Sequence, residues 1–345
     1  CGKWHGNKCT IKGFRNCLGR ISTSIVDLRI NHCCCSNTEL KTMRISSKSR
    51  FYASISYADI FDYPLTSFEC NLFSLFEYTR VHKLPSDVMV KKVKNQTYYY
   101  LSGREAIVST RLRRENYAKE KWRKAIIVSK ALSHIPTVAL VGVTGGLAME
   151  NAKIDDDIDL YCVTDNGTLW ITRLLVTIFV SLMGVRRTPR AKNVKDTFCL
   201  NMFTTTDSMR IPKDERDLFS AHEVVQMVPL WEKAGTYKKF LIKNRWAESY
   251  LPNAWRKKNA TCQMTDDKLL RNYLSFSMYH LILRLFEYPA RIIQLWYMKN
   301  NRTNEIIKSD VIRFHPNDAR VWIKKKLEKR LRMYNIPLDT IFYHR

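Results

Sequence analysis

No run of about 20 apolar residues, the length a helix needs to cross a bilayer, occurs in this sequence. The nearest approach, Leu169 to Gly184, is shorter and carries Arg173; it predicts a helix packed on a sheet and no membrane partner. The run from Leu281 to Met298 is interrupted by Arg284, Glu287, Pro289 and Arg291, which fits a core helix with a break. The C-x-x-C spacing of a zinc knuckle is missing too, although there are ten cysteines, with Cys1, Cys9, Cys17, Cys33, Cys34 and Cys35 crowded near the start. The other four, Cys70, Cys162, Cys199 and Cys262, sit among apolar residues and read as small core side chains. No secretory signal pattern is seen. A cytoplasmic location is expected, where the sequons at Asn95 and Asn166 have no role. Acidic residues are few: 32 Asp and Glu face 58 Lys and Arg, for a formal charge of +26. A polyanionic partner would account for that excess, and so would a basic proteome, since the cations are spread along the whole chain.

Apolar side chains make up 45% of the 345 residues, enough for a sizeable core divided over two or three domains. Residues 1–42 show no hydrophobic period, and the first methionine is Met43; this segment reads as a disordered or artefactual extension. Residues 43–103 read as a winged-helix-like module. Phe51 to Phe61 has helical spacing. Thr66 and Glu69 form a capping box that opens a second helix through Phe76. Val88–Val93 and Thr97–Leu101, turning at Asn95-Gln96, make a two-stranded wing. Few basic residues lie on the second helix, so a structural cap on the next domain is favoured over a groove reader. Arg104 to Leu132 predicts one long helix with an apolar face (Ile107, Val108, Leu112, Tyr117, Trp122, Ile126, Leu132) and a basic, solvated face (Arg111, Arg113, Arg114, Lys119, Lys121, Arg123, Lys124). Strands are expected at Thr137–Val143, Ile158–Thr164 and Phe198–Thr204, with a helix over Thr168–Gly184. Residues 104–210 thus form an α+β core, a mixed sheet with flanking helices, and 211–345 are expected to be a helical domain broken at Pro252, Pro289 and Pro316.

The chemistry concentrates between Val141 and Val163. A buried strand ends in Gly145-Gly146, and Asp157-Ile158-Asp159 opens the next strand. Side chains alternate along a strand, so Asp157 and Asp159 share a face. Two carboxylates side by side repel unless something compensates them. A divalent cation with hard oxygen ligands does so, and Mg²⁺ keeps company with phosphates. The glycines let backbone N–H groups approach a polyphosphate. Together these residues predict a site for a metal-bound nucleoside triphosphate.

Gly145-Gly146 followed by Asp157-Ile158-Asp159 resembles the signature of the DNA polymerase β-like nucleotidyltransferase superfamily. The longer stretch GGLAMENAKIDDDIDLYCVTDNGTLWITRLL looks like an uncharacterised group of bacterial nucleotidyltransferase-domain proteins. So do FDYPLT at Phe61, LSGRE at Leu101, FCLN at Phe198, AHEVVQMVPLW at Ala221, NRWAESYLPN at Asn244 and FHPND at Phe314. The likeness runs from about residue 55 onward. It implies transfer of a nucleoside monophosphate from an NTP to an acceptor, nucleic acid or protein among the options, with Mg²⁺ (or Mn²⁺) held by catalytic Asp157 and Asp159 and the phosphates contacted by Gly145 and Gly146. Superfamily members that act on hydroxyl groups commonly carry a third carboxylate on a later strand. The strand at Phe198 offers Asn201 there, which makes a catalytically silent nucleotide- or nucleic-acid-binding protein the alternative. Asp155, Asp156 and Asp207 are weaker substitutes.

Other residues receive plainer readings. His222-Glu223 reads as a helix-start or packing pair, and His315 as part of a helix start capped by Asn317 or Asp318. Arg186-Arg187 reads as a solvated turn, with contact to a triphosphate as the rarer alternative. The aromatic series Trp231, Tyr237, Phe240, Trp246, Tyr250 and Trp255 reads as the core of later helices.

Overall fold

The structure, a computed structural model, describes residues 46–75, 84–188, 191, 193–263, 277–299, 305–314 and 319–343. The 1–42 extension and His315 lie outside the described residues, as does the side chain of Asn201.

The chain enters through α1 (Ser47–Asp59), where the Ser46 side chain accepts from the Ser49 amide at 3.1 Å. Every residue of α1 from Phe51 to Asp59 is buried. β1 (Leu65–Thr66) leads directly into α2 (Ser67–Leu72), and the expected capping box is in place: Glu69 N donates to Thr66 Oγ1 at 3.2 Å, and Thr66 N to Glu69 Oε2 at 2.8 Å. β2 (Val88–Val93) and β3 (Gln96–Leu101) form a hairpin, and the sheet order is β1-β3-β2. The turn falls at Lys94-Asn95, one residue earlier than expected, with Lys94 at φ 52°.

α3 (Ala106–Leu132) differs from its sequence reading. Arg111, Arg114 and Lys121 are buried, whereas Ile126 and Ile127 are exposed. The inversion has a local cause: each inward cation meets acceptors from another element. Arg111 donates to both Glu69 oxygens (2.6 and 3.0 Å) and to Pro64 O (2.6 Å), with its guanidinium 4.2 Å from the Tyr63 ring centre. Arg114 donates to Phe61 O and Asn151 Oδ1, both at 3.0 Å. The helix thereby ties the first module to the loop that carries Asn151.

Beyond it come β4 (Val138–Val143), the single turn α4 (Gly145–Ala148), β5 (Ile158–Thr164), α5 (Leu169–Leu182) and β6 (Phe198–Thr205). Then come α6 (Leu218–Gln226), β7 (Val228–Glu232), α7 (Thr236–Lys243), α8 (Pro252–Gln263), α9 (Ser277–Leu285), α10 (Glu287–Met298), β8 (Glu305–Ile307), β9 (Val311–Phe314), α11 (Ala319–Arg332) and α12 (Leu338–Phe342). The expectation of an all-helical segment after residue 210 is therefore corrected: β7, β8 and β9 extend the central sheet, whose order is β7-β4-β5-β6-β9-β8. Only β5 and β6 run parallel in it. One face (Val141, Val143, Ile158, Leu160, Phe203) packs with α3 and α5. The other (Leu140, Tyr161, Val163) packs with α1, α6, α7 and α11 in a common apolar core. The architecture is α+β, a mixed sheet between helical layers.

α9 and α10 break at Phe286, and Pro289 sits in the first turn of α10, where its missing N–H costs nothing. They are less buried than a core helix: Leu281, Leu285, Tyr288 and Trp296 are exposed. Glu287 nonetheless closes the N-terminus of α5, accepting from Trp170 N and Ile171 N at 2.9 Å each. No described helix is long and apolar enough to cross a membrane.

Candidate functional site

The site begins where β4 turns into α4. Gly145 has φ +66°, and a Cβ built on it would lie 2.6 Å from Asp159 Oδ2. The positive φ favours glycine there, and a side chain would have to displace the Asp159 carboxylate. Thr144 N donates to Asp159 O at 3.1 Å, so the turn is bonded to the start of β5. Gly146 O accepts the amide of Asn151 at 2.8 Å, which folds the connecting loop back over α4.

Asp157 and Asp159 do share a face. Their carboxylate oxygens and Cys199 Sγ lie within 4.8 Å of one another. The third member corrects the sequence reading of Cys199. In the β5/β6 register Asp159 faces Cys199, and a shift between Asp159 and Tyr161 gives β6 an extra residue before Met202. Cys199 therefore stands beside the two carboxylates. Cys199 is half-buried at the cluster, not a core filler. Burial, then the charges of Asp159 and Asp157, push its thiol far above the usual range, so it stands as a neutral S–H.

Arg187 is more than a solvated turn: it donates to Asp157 Oδ2 at 2.5 Å and reaches Cys199 Sγ at 3.5 Å. The loop before Asp157 is anchored from beneath by Lys121, which donates to Asp156 O (2.5 Å), Asp196 Oδ1 (2.8 Å) and Ile154 O (3.2 Å). Burial alone would raise the Asp196 carboxyl, but hydrogen bonds from Lys121 and Lys124 carry it below the usual range. The substitute acids do not join the cluster. Asp155 is exposed, Asp156 accepts from Lys153 N at 2.7 Å, and Asp207 lies past the far end of β6, held by Asn166 at 2.5 Å.

A cavity of about 330 Å³ opens beside Gly145, Gly146 and Asp159. Its opposite wall comes from α1 (Tyr57), α6 (His222, Glu223, Gln226) and α11 (Trp322). His222 is the packing residue its sequence reading implied: it stacks on Tyr57 with ring centres 4.2 Å apart, its Nδ1 is 2.9 Å from Gln226 Nε2, and burial pushes it down to about 3. Glu223 is different. It lines the cavity, and burial pushes its carboxyl up to about 7. Sequence spacing could not find it, because it meets Gly145 only through the fold. The one local signal was an acid in α6 followed directly by the apolar Val224 and Val225. Of the aromatic series, Tyr237, Phe240, Tyr250 and Trp255 are buried in the core as expected, with Trp231 and Trp246 half-buried. Comparison of the chain with family models, with characterised proteins and with solved structures found no match.

Proposed function

We propose that the chain is a metal-dependent nucleotidyltransferase of the DNA polymerase β type, moving a nucleoside monophosphate from an NTP to an acceptor. The observation that carries this reading is the convergence of Asp157 and Asp159 next to a Gly145 turn in which the Asp159 carboxylate fills the place of a side chain. Asp157 and Asp159 supply hard oxygen donors, which suit Mg²⁺ or Mn²⁺; the neutral Cys199 thiol does not. A metal bound there would neutralise phosphate charge and favour in-line displacement. The chain's own part is to hold both carboxylates on one strand face, with Lys121 fixing the approach loop. Gly145 and Gly146 bring backbone close to the phosphates. The helix–strand–helix–hairpin order and the β1-β3-β2 sheet support a winged-helix-like first module.

The full chain, incubated with Mg²⁺ and each labelled NTP against total RNA and against itself, is expected to transfer label. Asp157→Asn/Asp159→Asn should lower transfer by roughly 10²-fold or more. The second reading, a nucleotide binder without catalysis, is favoured by one observation: a thiol stands beside Asp159 in place of a third carboxylate. Metal-dependent NTP binding with no transfer to any acceptor would select it.

A cation at Asp157 has to share that carboxylate with Arg187. Arg187→Met should therefore tighten Mn²⁺ binding, followed by electron paramagnetic resonance, by roughly 2- to 5-fold, the value of a part-exposed ion pair. Unchanged affinity would mean that Arg187 does not compete.

A further inference from the structure

We propose that the cavity beside Gly145 and Asp159 binds a small organic cation, a flat apolar body carrying a protonated amine, and that Glu223 is the residue that takes the amine. As the acceptor of nucleotidyl transfer this ligand rests on the function proposed above; as a binding site it stands without it.

Three observations carry the inference. The first is charge. In a chain with 58 Lys and Arg against 32 Asp and Glu, no described Lys or Arg lines the cavity, whereas Asp159 and Glu223 both do. Burial alone does not explain this, because the same fold buries Arg111, Arg114 and Lys121 wherever acceptors meet them. Arg114, which bonds the lining residues Phe61 and Asn151, has its guanidinium engaged by Phe61 O, Asn151 Oδ1 and Asp62.

The second is the wall. Tyr57, Phe61, Tyr63, Phe73 and Trp322 line the cavity, and Phe61 meets Trp322 edge-on with ring centres 6.0 Å apart. Aromatic faces attract cations and cover flat apolar bodies. The fold already uses this in the same wall, where Arg111 lies over Tyr63.

The third is Glu223 itself. Buried acids elsewhere have partners: Asp59 has Arg104 and Arg330, Glu69 has Arg111, and Asp217 accepts from Ser220 N. Among the described residues the Glu223 carboxyl has neither an ion pair nor a hydrogen bond, since neighbouring His222 is engaged with Gln226. The Glu223 side chain is half-buried and lines the cavity, where a bound ammonium would supply the partner that the chain does not. A nucleic-acid strand would instead set a phosphate against Glu223. The positive field of the whole chain opposes an incoming cation only weakly, because salt screens it over about 8 Å. The volume, about 330 Å³, suits a small molecule.

The test titrates the full chain, without metal or nucleotide, with two series at pH 8: tyramine, p-cresol and 4-hydroxyphenylacetate, then tryptamine, 3-methylindole and indole-3-acetate. Each series keeps one ring and changes only the charge. Calorimetry should show the amine of at least one series binding at least about tenfold tighter than its neutral relative, the value of one charge-assisted contact, with the acid weakest. Glu223→Gln should remove the amine's advantage and keep the neutral ligand's affinity. Phe61→Ala should weaken every ligand. Asp157→Asn should leave amine binding unchanged, which separates a failure here from a failure of the transferase reading. The inference is overturned if no amine binds in either series, if the acid binds best, if the amine's advantage survives in Glu223→Gln, or if a single-stranded oligonucleotide displaces the amine.

Discussion

Replacing Lys121 by Met should lower the stability of the chain by about 3–5 kcal/mol, the range for breaking a buried charged contact from one side. The amine is fully buried and serves three acceptors at once: two backbone carbonyls of the loop before Asp157 and the Asp196 carboxylate. Met fills the space but donates nothing. Ile154 O and Asp156 O are left without that donor, and Asp196 keeps only Lys124. In thermal unfolding the midpoint should fall by on the order of 10 °C. Lys124→Met is the internal control. Lys124 is half exposed and bonds the same carboxylate, so its removal should cost no more than about 1 kcal/mol. If both variants unfold alike, Lys121 is not the anchor of the loop. If only Lys121→Met unfolds early, transfer should fall with it, because the loop it holds delivers Asp157 to the cluster.

Lys121 also shows where sequence reasoning reached its limit. Helical periodicity assigns Lys and Arg to the wet face of α3, and nothing within four residues argues otherwise. The acceptors that draw Lys121, Arg114 and Arg111 inward are supplied from 33 to 75 positions away. What depends on neighbouring residues was legible. The Thr66–Glu69 capping box, the hairpin near Asn95, the buried strands and the shared face of Asp157 and Asp159 derive from local spacing, and all are present. The later strands were not legible. β8 and β9 have three and four residues, too few to show alternation. β7 contains Pro229, which demotes a strand in sequence although a sheet edge, where β7 sits, tolerates it. Cys199 was not legible because its place beside Asp159 comes from the register between β5 and β6, which alternation within one strand does not set.

Glu223→Gln should stabilise the chain at pH 8 and leave it nearly unchanged at pH 4.5. Burial raises this carboxyl from an ordinary 4.5 to about 7. Below pH 4.5 it is protonated whether the chain is folded or not, so it contributes no pH dependence there. Between 4.5 and about 7 the unfolded chain releases the proton while the folded chain keeps it, and stability falls as pH rises. Above about 7 both states are ionised, and the cost is constant, on the order of 3 kcal/mol. His222 has the opposite sign. Burial lowers it from 6.5 to about 3, so its neutral form favours folding above pH 6.5 and stability is lost as pH falls toward 3. From pH 4.5 to 6.5 the two slopes oppose each other, and the native chain should show a flat region. In Glu223→Gln the His222 slope stands alone, so urea midpoints should climb across that interval and exceed those of the native chain at pH 8. A carboxyl that served packing alone would lose stability on substitution at every pH. One that is kept at a cost for a bound amine would gain stability at pH 8 and lose the ligand's preference in the same variant, the trade expected where a site holds a group the fold does not itself satisfy.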